Sequence, residues 1–236
     1  MKKIAAFFVF LILPLFAFGS GQRKLHEWSV GSVVSPKEIK SFGEQRCFTS
    51  IPISDEIFKR MQGVSFRKNP YITREDLRYV KVLHYDRDGN IYIGELVCNK
   101  KIAQDLVDIF YKLYQARYPI HKMVLIDNYD AIDEKSMRDN NTSCFCYRQV
   151  AGSSKLSAHS RGMAVDVNTL YNPYYKRLKS GKEKIQPSNA REYVNRQNKF
   201  PYKIDKNDLC YKLFIQYGFK WGGAWRSLKD YQHFEK

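Results

Sequence analysis

The stretch Ser157-Ala-His159-Ser-Arg-Gly162-Met-Ala164-Val-Asp166 decides the fold around it, together with Asp230-Tyr-Gln-His233 near the C-terminus. These segments supply two imidazoles and a carboxylate, a ligand set that holds a catalytic zinc ion and leaves one coordination position open. After Gly162, polar and apolar residues alternate as they do on a strand with one face in the core. The sequence therefore predicts a zinc site with His159, Asp166 and His233 as ligands.

The pattern S-x-H-x-x-G-x-A-x-D, followed far downstream by D-x-x-H, resembles the zinc D-Ala-D-Ala carboxypeptidases and L-alanyl-D-glutamate endopeptidases of bacterial cell walls. That group also includes lysostaphin and the hedgehog signalling domain. The resemblance runs from about residue 147 to residue 235 and includes the motif Trp221-Gly-Gly-Ala224-Trp. Ala224 is a departure, since relatives often carry an acidic residue there. The resemblance implies an α+β fold of the hedgehog/D-Ala-D-Ala-peptidase type, with a small antiparallel sheet bearing the zinc site and helices flanking it.

The resemblance also implies catalytic roles for residues outside the ligand set. Arg148 matches an arginine that relatives place upstream of the zinc histidine to stabilise charge on the attacked carbonyl, although a surface arginine is the ordinary interpretation. Asp230 is expected to act as general base and then general acid. Glu235, on the same strand face as His233, is the competing base.

Three residues are expected behind the ligands or against the substrate: Ser157, Trp221 and Glu235. A nucleophilic role for Ser157 is disfavoured, because a metal site makes its nucleophile from water. An orienting hydrogen bond is the preferred role. Cys144 and Cys146 are expected to be small buried side chains, since a thiol nucleophile would leave the metal-ligand pattern unexplained.

The activity implied by the resemblance is that of a zinc metallopeptidase, which cuts peptide bonds in peptidoglycan stem peptides. Removal of terminal D-alanine is slightly preferred. Two alternatives stay open: an endopeptidase of the L-alanyl-D-glutamate type, and a zinc-containing module that binds the cell wall without turnover.

The N-terminus predicts export. Residues 1–19 combine two lysines, an apolar run and small residues, a pattern typical of a cleaved secretory signal peptide. The apolar run is shorter than the roughly 20 residues that a membrane-spanning helix needs. We therefore expect a periplasmic or extracellular protein, with an N-terminal extension over residues 20–70 and the zinc peptidase domain over residues 71–236. In an oxidising compartment its five cysteines predict one or two disulfides.

The formal net charge of +16 favours partners that are polyanions, such as anionic cell-wall polymers or a membrane surface. Nucleic acid is disfavoured, because the protein is predicted to be exported and no zinc finger or RNP-type aromatic pair accompanies the charge. A monomer is expected.

Local patterns predict the main elements. Residues 79–85 and 91–97 flank a turn-rich segment and indicate a β-hairpin. An apolar stripe over residues 99–117 predicts a helix capped by Asn99, and a second helix is predicted over residues 208–217.

The polar, tyrosine-rich stretch at residues 168–207 is expected to be an ordered excursion over the face that holds the metal. A flexible loop is an equal alternative for residues 179–184.

Overall fold

The computed structural model describes residues 29–149 and 155–236. Helices and small antiparallel sheets are mixed within these ranges, which confirms the predicted α+β class. The predicted signal peptide at residues 1–19 lies outside the described residues. Within the described ranges, every helix is too short or too polar to cross a membrane.

The described helices and strands are short apart from one hairpin and one helix. The helices are α1 (Pro36–Phe42), α2 (Asp55–Met61), α3 (Ala103–Gln115), α4 (Asp133–Arg138) and α5 (Leu209–Gln216). The strands are β1 (Thr49–Pro52), β2 (Leu77–Tyr85), β3 (Ile91–Asn99), β4 (Ala164–Asp166), β5 (Tyr174–Arg177), β6 (Glu183–Gln186), β7 (Lys220–Trp221), β8 (Lys229–Asp230) and β9 (His233–Glu235).

The predicted hairpin is confirmed as β2 and β3, which pair antiparallel along their whole length. Its turn is held by the Asp86 carboxylate, which accepts hydrogen bonds from the backbone N–H groups of Asp88 and Asn90. β1 pairs with β2 and completes a three-stranded sheet. This sheet is the platform for the largest hydrophobic core.

The helix predicted over residues 99–117 is confirmed as α3, whose apolar stripe is buried against the sheet. The prediction that Asn99 caps it is wrong. Asn99 ends β3, where its backbone N–H donates to the carbonyl of Gly162 at 2.9 Å. Because this contact keeps Asn99 in the strand, the helix begins four residues later, at Ala103.

The segment predicted as an N-terminal extension, residues 20–70, contributes α1, α2 and β1 among its described residues. Ile57 and Met61 of α2 are buried in a smaller core that also contains Leu77 of β2 and Phe145. The boundary at residue 70 stays a prediction, but the described part of this segment packs on the same sheet as the region after it.

The predicted helix at residues 208–217 is confirmed as α5, capped by the Asp208 carboxylate. Phe214 of α5 stacks on Phe234 of β9 with ring centroids 4.4 Å apart. The same ring meets Phe110 of α3 edge-on at 6.2 Å. Phe214 therefore joins the helix that covers the large sheet to the strand that carries His233.

Two further three-stranded antiparallel sheets surround the candidate site, in the orders β4–β9–β7 and β6–β5–β8. The second sheet contains most of the ordered structure in the polar stretch at residues 168–207. Residues 179–184 lie largely in the turn between β5 and β6. Across this turn, which contains Gly181, the Leu178 N–H donates to the Lys182 carbonyl at 2.8 Å. The predicted ordered excursion is confirmed.

The five cysteines are buried and free, so the expected one or two disulfides are not present. They occupy core positions as small apolar side chains. Burial raises the pKa of the Cys146 thiol to about 12 and raises that of the Cys144 thiol as well. Neither thiol is available as a nucleophile at neutral pH, as the sequence predicts.

Candidate metal centre and active-site cavity

Strand pairing brings the two predicted motifs together. β4 and β9 are antiparallel, with Val165 opposite Phe234 and Asp166 opposite His233. Directly opposed residues share a face of the sheet, and neighbours along a strand alternate between faces. Val165 and Phe234 are fully buried in the core, so Asp166 and His233 point to the other side. The other edge of β4 is bridged to Ser143. The Asp166 N–H donates to the Ser143 carbonyl, and the Ser143 N–H donates to the Asp166 carbonyl.

His159 reaches the same point from a single 3₁₀ turn before β4, Ala158–Arg161. The Ser157 hydroxyl accepts a hydrogen bond from the backbone N–H of His159 at 3.3 Å, so it orients the turn rather than the imidazole itself. Gly162 ends the turn with φ of 64°, and a Cβ there would lie 2.6 Å from the backbone nitrogen of Asn99. Glycine is needed for both the left-handed backbone and the close approach to β3.

The three predicted ligands converge at metal-binding distances. His159 Nε2 lies 3.2 Å from Asp166 Oδ2, and His233 Nδ1 lies 3.0 Å from Asp166 Oδ1. The two imidazole nitrogens are 3.2 Å apart. Ligand atoms roughly 2.0–2.1 Å from a tetrahedral ion are roughly 3.3 Å from each other, so the group fits one metal ion. All three side chains are largely buried.

Hydrogen bonds on the far side of each imidazole direct its inner nitrogen toward the site. His159 Nδ1 lies 2.6 Å from the carbonyl oxygen of Cys144. A carbonyl only accepts, so Nδ1 carries the proton and Nε2 presents a lone pair. His233 Nε2 lies 3.2 Å from Glu235 Oε2, which leaves His233 Nδ1 facing the site. Partners of this kind fix the orientation of metal-binding histidines.

The predicted catalytic carboxylate, Asp230, comes from the other small sheet. It is the last residue of β8 and lines the same cavity as the three ligands, and its Oδ1 is buried with no hydrogen-bond partner among the described residues. Gly222 makes this approach possible. A Cβ on Gly222 would lie 2.7 Å from the Asp230 carbonyl oxygen and 3.3 Å from the His233 Cβ.

Arg148, to which the resemblance gives a charge-stabilising role, also lines the cavity. Ser160 holds its backbone, since the Ser160 hydroxyl accepts from the Arg148 N–H at 2.8 Å and donates to the Arg148 carbonyl. The guanidinium forms an ion pair with Asp133 at the start of α4, with Arg148 Nε 2.6 Å from Asp133 Oδ2. Asp133 lines the cavity too, and sequence reasoning missed it because an acidic residue at a helix start is already explained by the helix dipole.

The two tryptophans of the Trp221-Gly-Gly-Ala-Trp225 motif lie in different places. Trp221, predicted to stand behind the ligands or against the substrate, is buried in the core and donates its indole N–H to the Tyr231 carbonyl at 2.9 Å. It does not line the cavity, and the ring that does is Trp225, 5.3 Å from the His233 ring. The signal for Trp225 was present in the motif. Gly223 separates the two rings, since a Cβ there would lie 2.2 Å from the Trp221 ring.

The cavity has a volume of about 250 Å³. The β5–β6 hairpin contributes Tyr174, Lys184 and Gln186 to its lining. Cavities of about 530 and 570 Å³ lie elsewhere in the described ranges, but neither contains a group of His, Cys, Asp or Glu side chains spaced for a metal.

The titration behaviour of the metal-free group follows from its crowding. Although burial opposes the change, the two imidazoles hold the pKa of Asp166 well below its usual range. Burial also opposes the charged form of His233, but hydrogen bonds to Asp166 and Glu235 raise its pKa to about 10. Burial and the nearby Asp166 charge raise the pKa of Asp230 to about 7.

A buried His-Asp-His group, with oriented imidazoles and a further carboxylate in the same cavity, is the arrangement of a catalytic metal site in a hydrolase. Residues 151–236 match the model of a peptidase family described as D-alanyl-D-alanine carboxypeptidase, which confirms the resemblance seen in the sequence. The match supports a metallopeptidase of that family, whose members depend on a metal ion. The match includes all three ligands, Asp230 and Glu235, and begins after Arg148. Comparisons with curated proteins and with solved structures give no match.

Proposed function

We propose that the protein is an exported zinc metallopeptidase that hydrolyses peptide bonds in the stem peptides of peptidoglycan. Removal of terminal D-alanine is the preferred activity, and cleavage of an L-alanyl-D-glutamate bond is the alternative. The proposal extends the family match to a metal, a substrate and a compartment. The +16 net charge and the apolar N-terminal segment support an exported protein that works beside anionic cell-wall polymers or membrane, with no nucleic-acid partner. A monomer is part of the proposal.

The observation that carries the proposal is the position of Asp230. A site that only binds a metal needs His159, Asp166 and His233 and nothing more. Asp230 adds a buried carboxylate in the same cavity that is not among the ligands and has an unpartnered oxygen. Leaving a buried carboxylate oxygen without a partner costs stability, so a catalytic role gives a reason for it. A zinc-containing binding module would have no use for this group.

His159 Nε2, an oxygen of Asp166 and His233 Nδ1 would hold the zinc ion. When bound, zinc lowers the pKa of a water ligand to about 7 and polarises the peptide carbonyl. Asp230 would accept a proton from the water that attacks the carbonyl carbon and would return it to the leaving amine as the C–N bond breaks. In the metal-free protein, burial and the Asp166 charge raise the pKa of Asp230 to about 7, which makes this carboxyl a better proton acceptor than an exposed aspartate.

Glu235 is the weaker candidate for the base. Its Oε2 already accepts from His233 Nε2 at 3.2 Å, and that hydrogen bond lowers the pKa of Glu235. A carboxylate with a lowered pKa is a poorer proton acceptor, and its partner is a ligand rather than substrate. Glu235 therefore orients His233.

Arg148 supplies a positive charge at the cavity wall. Its ion pair with Asp133 fixes the guanidinium, and the remaining N–H groups are available to a substrate oxygen. We assign it the stabilisation of negative charge on the carbonyl oxygen as the tetrahedral centre forms.

The proposal is tested with purified muropeptides, zinc and a chelator, with products read by mass spectrometry. Loss of a single alanine supports the carboxypeptidase, and release of a longer peptide supports the endopeptidase. Asp230→Asn should keep zinc and fold but lose activity by about 10²–10⁴-fold, because the proton acceptor is gone. Glu235→Gln is the matched carboxylate control and should remain active when loaded with zinc. Intact stem peptides after incubation with the zinc-loaded wild type would refute the enzyme and favour the binding module.

A further inference from the structure

We propose that Lys184, on the β5–β6 hairpin, is the specificity-determining cation of this cavity and binds a carboxylate of the substrate. The inference rests on the proposed function, since it concerns the peptide that the cavity receives. It adds the chemical class of group that the substrate must carry: a free carboxylate near the cleaved bond.

The strand register places Lys184 on the face that bears Asp230. Tyr174 of β5 is opposite both Asp230 of β8 and Gln186 of β6, so these three side chains share one face. Lys184 precedes Gln186 by two residues and therefore points to the same side. Tyr174, Gln186 and Lys184 all line the cavity, in agreement with the register.

The distances across this sheet suit a short stretch of substrate. Neighbouring strands lie roughly 4.8 Å apart, and two residues advance roughly 6.8 Å along a strand. The backbone of Lys184 therefore lies roughly 12 Å from that of Asp230, and an extended lysine side chain covers about half of that span. One or two peptide residues beyond the cleaved bond fill the remainder, at roughly 3.3–3.6 Å each.

The head group of Lys184 is oriented but not neutralised. Its Nζ lies 5.6 Å from the centre of the Tyr174 ring, within the range of a cation–π contact. No carboxylate of the described residues forms an ion pair with it, whereas Arg148 is paired with Asp133. These two are the lysine and arginine side chains of the described cavity lining, and Lys184 is the one of them without a carboxylate partner there.

The charge of the rest of the cavity makes such a cation necessary. Four carboxylates line it: Asp133, Asp166, Asp230 and Glu235. A substrate that carries its own carboxylate meets repulsion from them, and the charge of Lys184, on the face that also bears Asp230, offsets it. Lys184 therefore selects substrates with a negative charge over neutral analogues.

Two carboxylates of a stem peptide have this chemistry, the C-terminal carboxylate of the last residue and a free carboxylate within the peptide. The test measures binding rather than turnover, so that it stands apart from the test of catalysis. The probes are a synthetic pentapeptide ending in D-Ala-D-Ala, its C-terminal amide, and a form in which the glutamate carboxylate alone is amidated. Each is titrated by calorimetry into the full chain loaded with zinc and carrying Asp230→Asn, so that no peptide is consumed.

We expect the free acid to bind about tenfold more tightly than one of the two amides, as for a partly solvated charge-assisted contact. Lys184→Gln in the same background should reduce that ratio to near one, and Lys184→Arg should retain it. Lys182→Gln is the matched control, since Lys182 lies in the same hairpin but outside the cavity lining. The amide that binds more weakly than the free acid identifies which of the two substrate carboxylates Lys184 contacts.

The inference would be overturned if the ratio of acid to amide affinity were the same in the parent and in Lys184→Gln. It would also be overturned if Lys182→Gln reduced that ratio equally, or if no peptide bound at all. A Lys184-dependent preference together with no turnover by the wild-type protein would instead leave the inference standing and end the proposed catalysis.

Discussion

Gly222→Ala tests whether the turn after β7 sets the position of the catalytic carboxylate. The added Cβ would lie 2.7 Å from the Asp230 carbonyl oxygen and 2.9 Å from the Asp230 Cβ. Ordinary van der Waals contact begins at 3.4 Å, so the turn and β8 must separate by about 0.7 Å, the difference between 3.4 and 2.7 Å. Both contacts involve backbone or Cβ atoms, which cannot rotate away as the end of a long side chain does. The strand itself has to move.

The expected cost follows from that displacement. Overpacking of a well-packed site destabilises a protein by about 1–3 kcal/mol. For a chain of this size each kcal/mol lowers the melting temperature by about 2–4 °C. A misplacement of about 1 Å at a catalytic group lowers the rate by about 10²-fold, so a shift of this size should lower kcat by at least about tenfold. Zinc affinity should fall as well, because ligand positions must hold to within about 0.2 Å.

Thermal unfolding, zinc content and peptide hydrolysis measure these three effects in one preparation. Gly181→Ala is the control, since Gly181 has φ of 80° and a Cβ there would meet no atom within 4 Å. That variant carries backbone strain without a clash and should lose about 1 kcal/mol of stability while keeping full activity. Wild-type stability and hydrolysis in Gly222→Ala would refute the idea that this contact positions Asp230.

Two further predictions concern the metal itself. Glu235→Gln should weaken zinc binding by about 10–100-fold, because the glutamine removes the negative charge behind His233. The zinc-loaded variant should still hydrolyse peptide, since Asp230, the proposed base, is unchanged. An inactive zinc-loaded variant would instead make Glu235 the base. In the metal-free protein, the raised pKa of His233 contributes stability that is fully present below its ordinary value of 6.5 and is lost as pH rises through about 10. Zinc binding at His233 Nδ1 would release the proton held there. The rise in melting temperature on adding zinc should therefore grow between about pH 6.5 and 8.5. A pH-independent rise would show that His233 is not a ligand.

The three candidate metal ligands were predictable because their signal is local. A histidine turn, a glycine and an alternating strand follow one another within ten residues, and the second histidine follows a carboxylate near the C-terminus. The same alternation predicts that Asp166 points away from the core, and the structure confirms it. The hairpin of β2 and β3 and the helices α3 and α5 were predictable for the same reason.

The parts that sequence reasoning missed depend on pairing between distant segments. Lys184 is one of many scattered lysines, and nothing near it in sequence distinguishes it from the exposed ones. Its place in the cavity comes from the pairing of β5 with β8, which joins residues more than fifty positions apart. Asn99 was misassigned for a related reason, since its N–H is taken by Gly162 from across the fold rather than by its own helix. Asp133 gave an ordinary helix-start signal, and its partner Arg148 is distant in sequence.

The three carboxylates nearest the imidazoles show how environment separates roles that sequence alone leaves interchangeable. Asp166 faces both imidazoles, which hold its pKa well below the usual range despite burial, so it stays ionised and ready to bind a cation. Glu235 accepts a hydrogen bond from His233 and also has a lowered pKa, which suits a fixed negative charge behind a ligand. Asp230 has one buried oxygen without a hydrogen-bond partner, and burial together with the Asp166 charge raises its pKa instead. Pairs of acids whose surroundings push their pKa values apart mark the division between ligand and proton carrier. In the proposed mechanism this division assigns the mobile proton to Asp230.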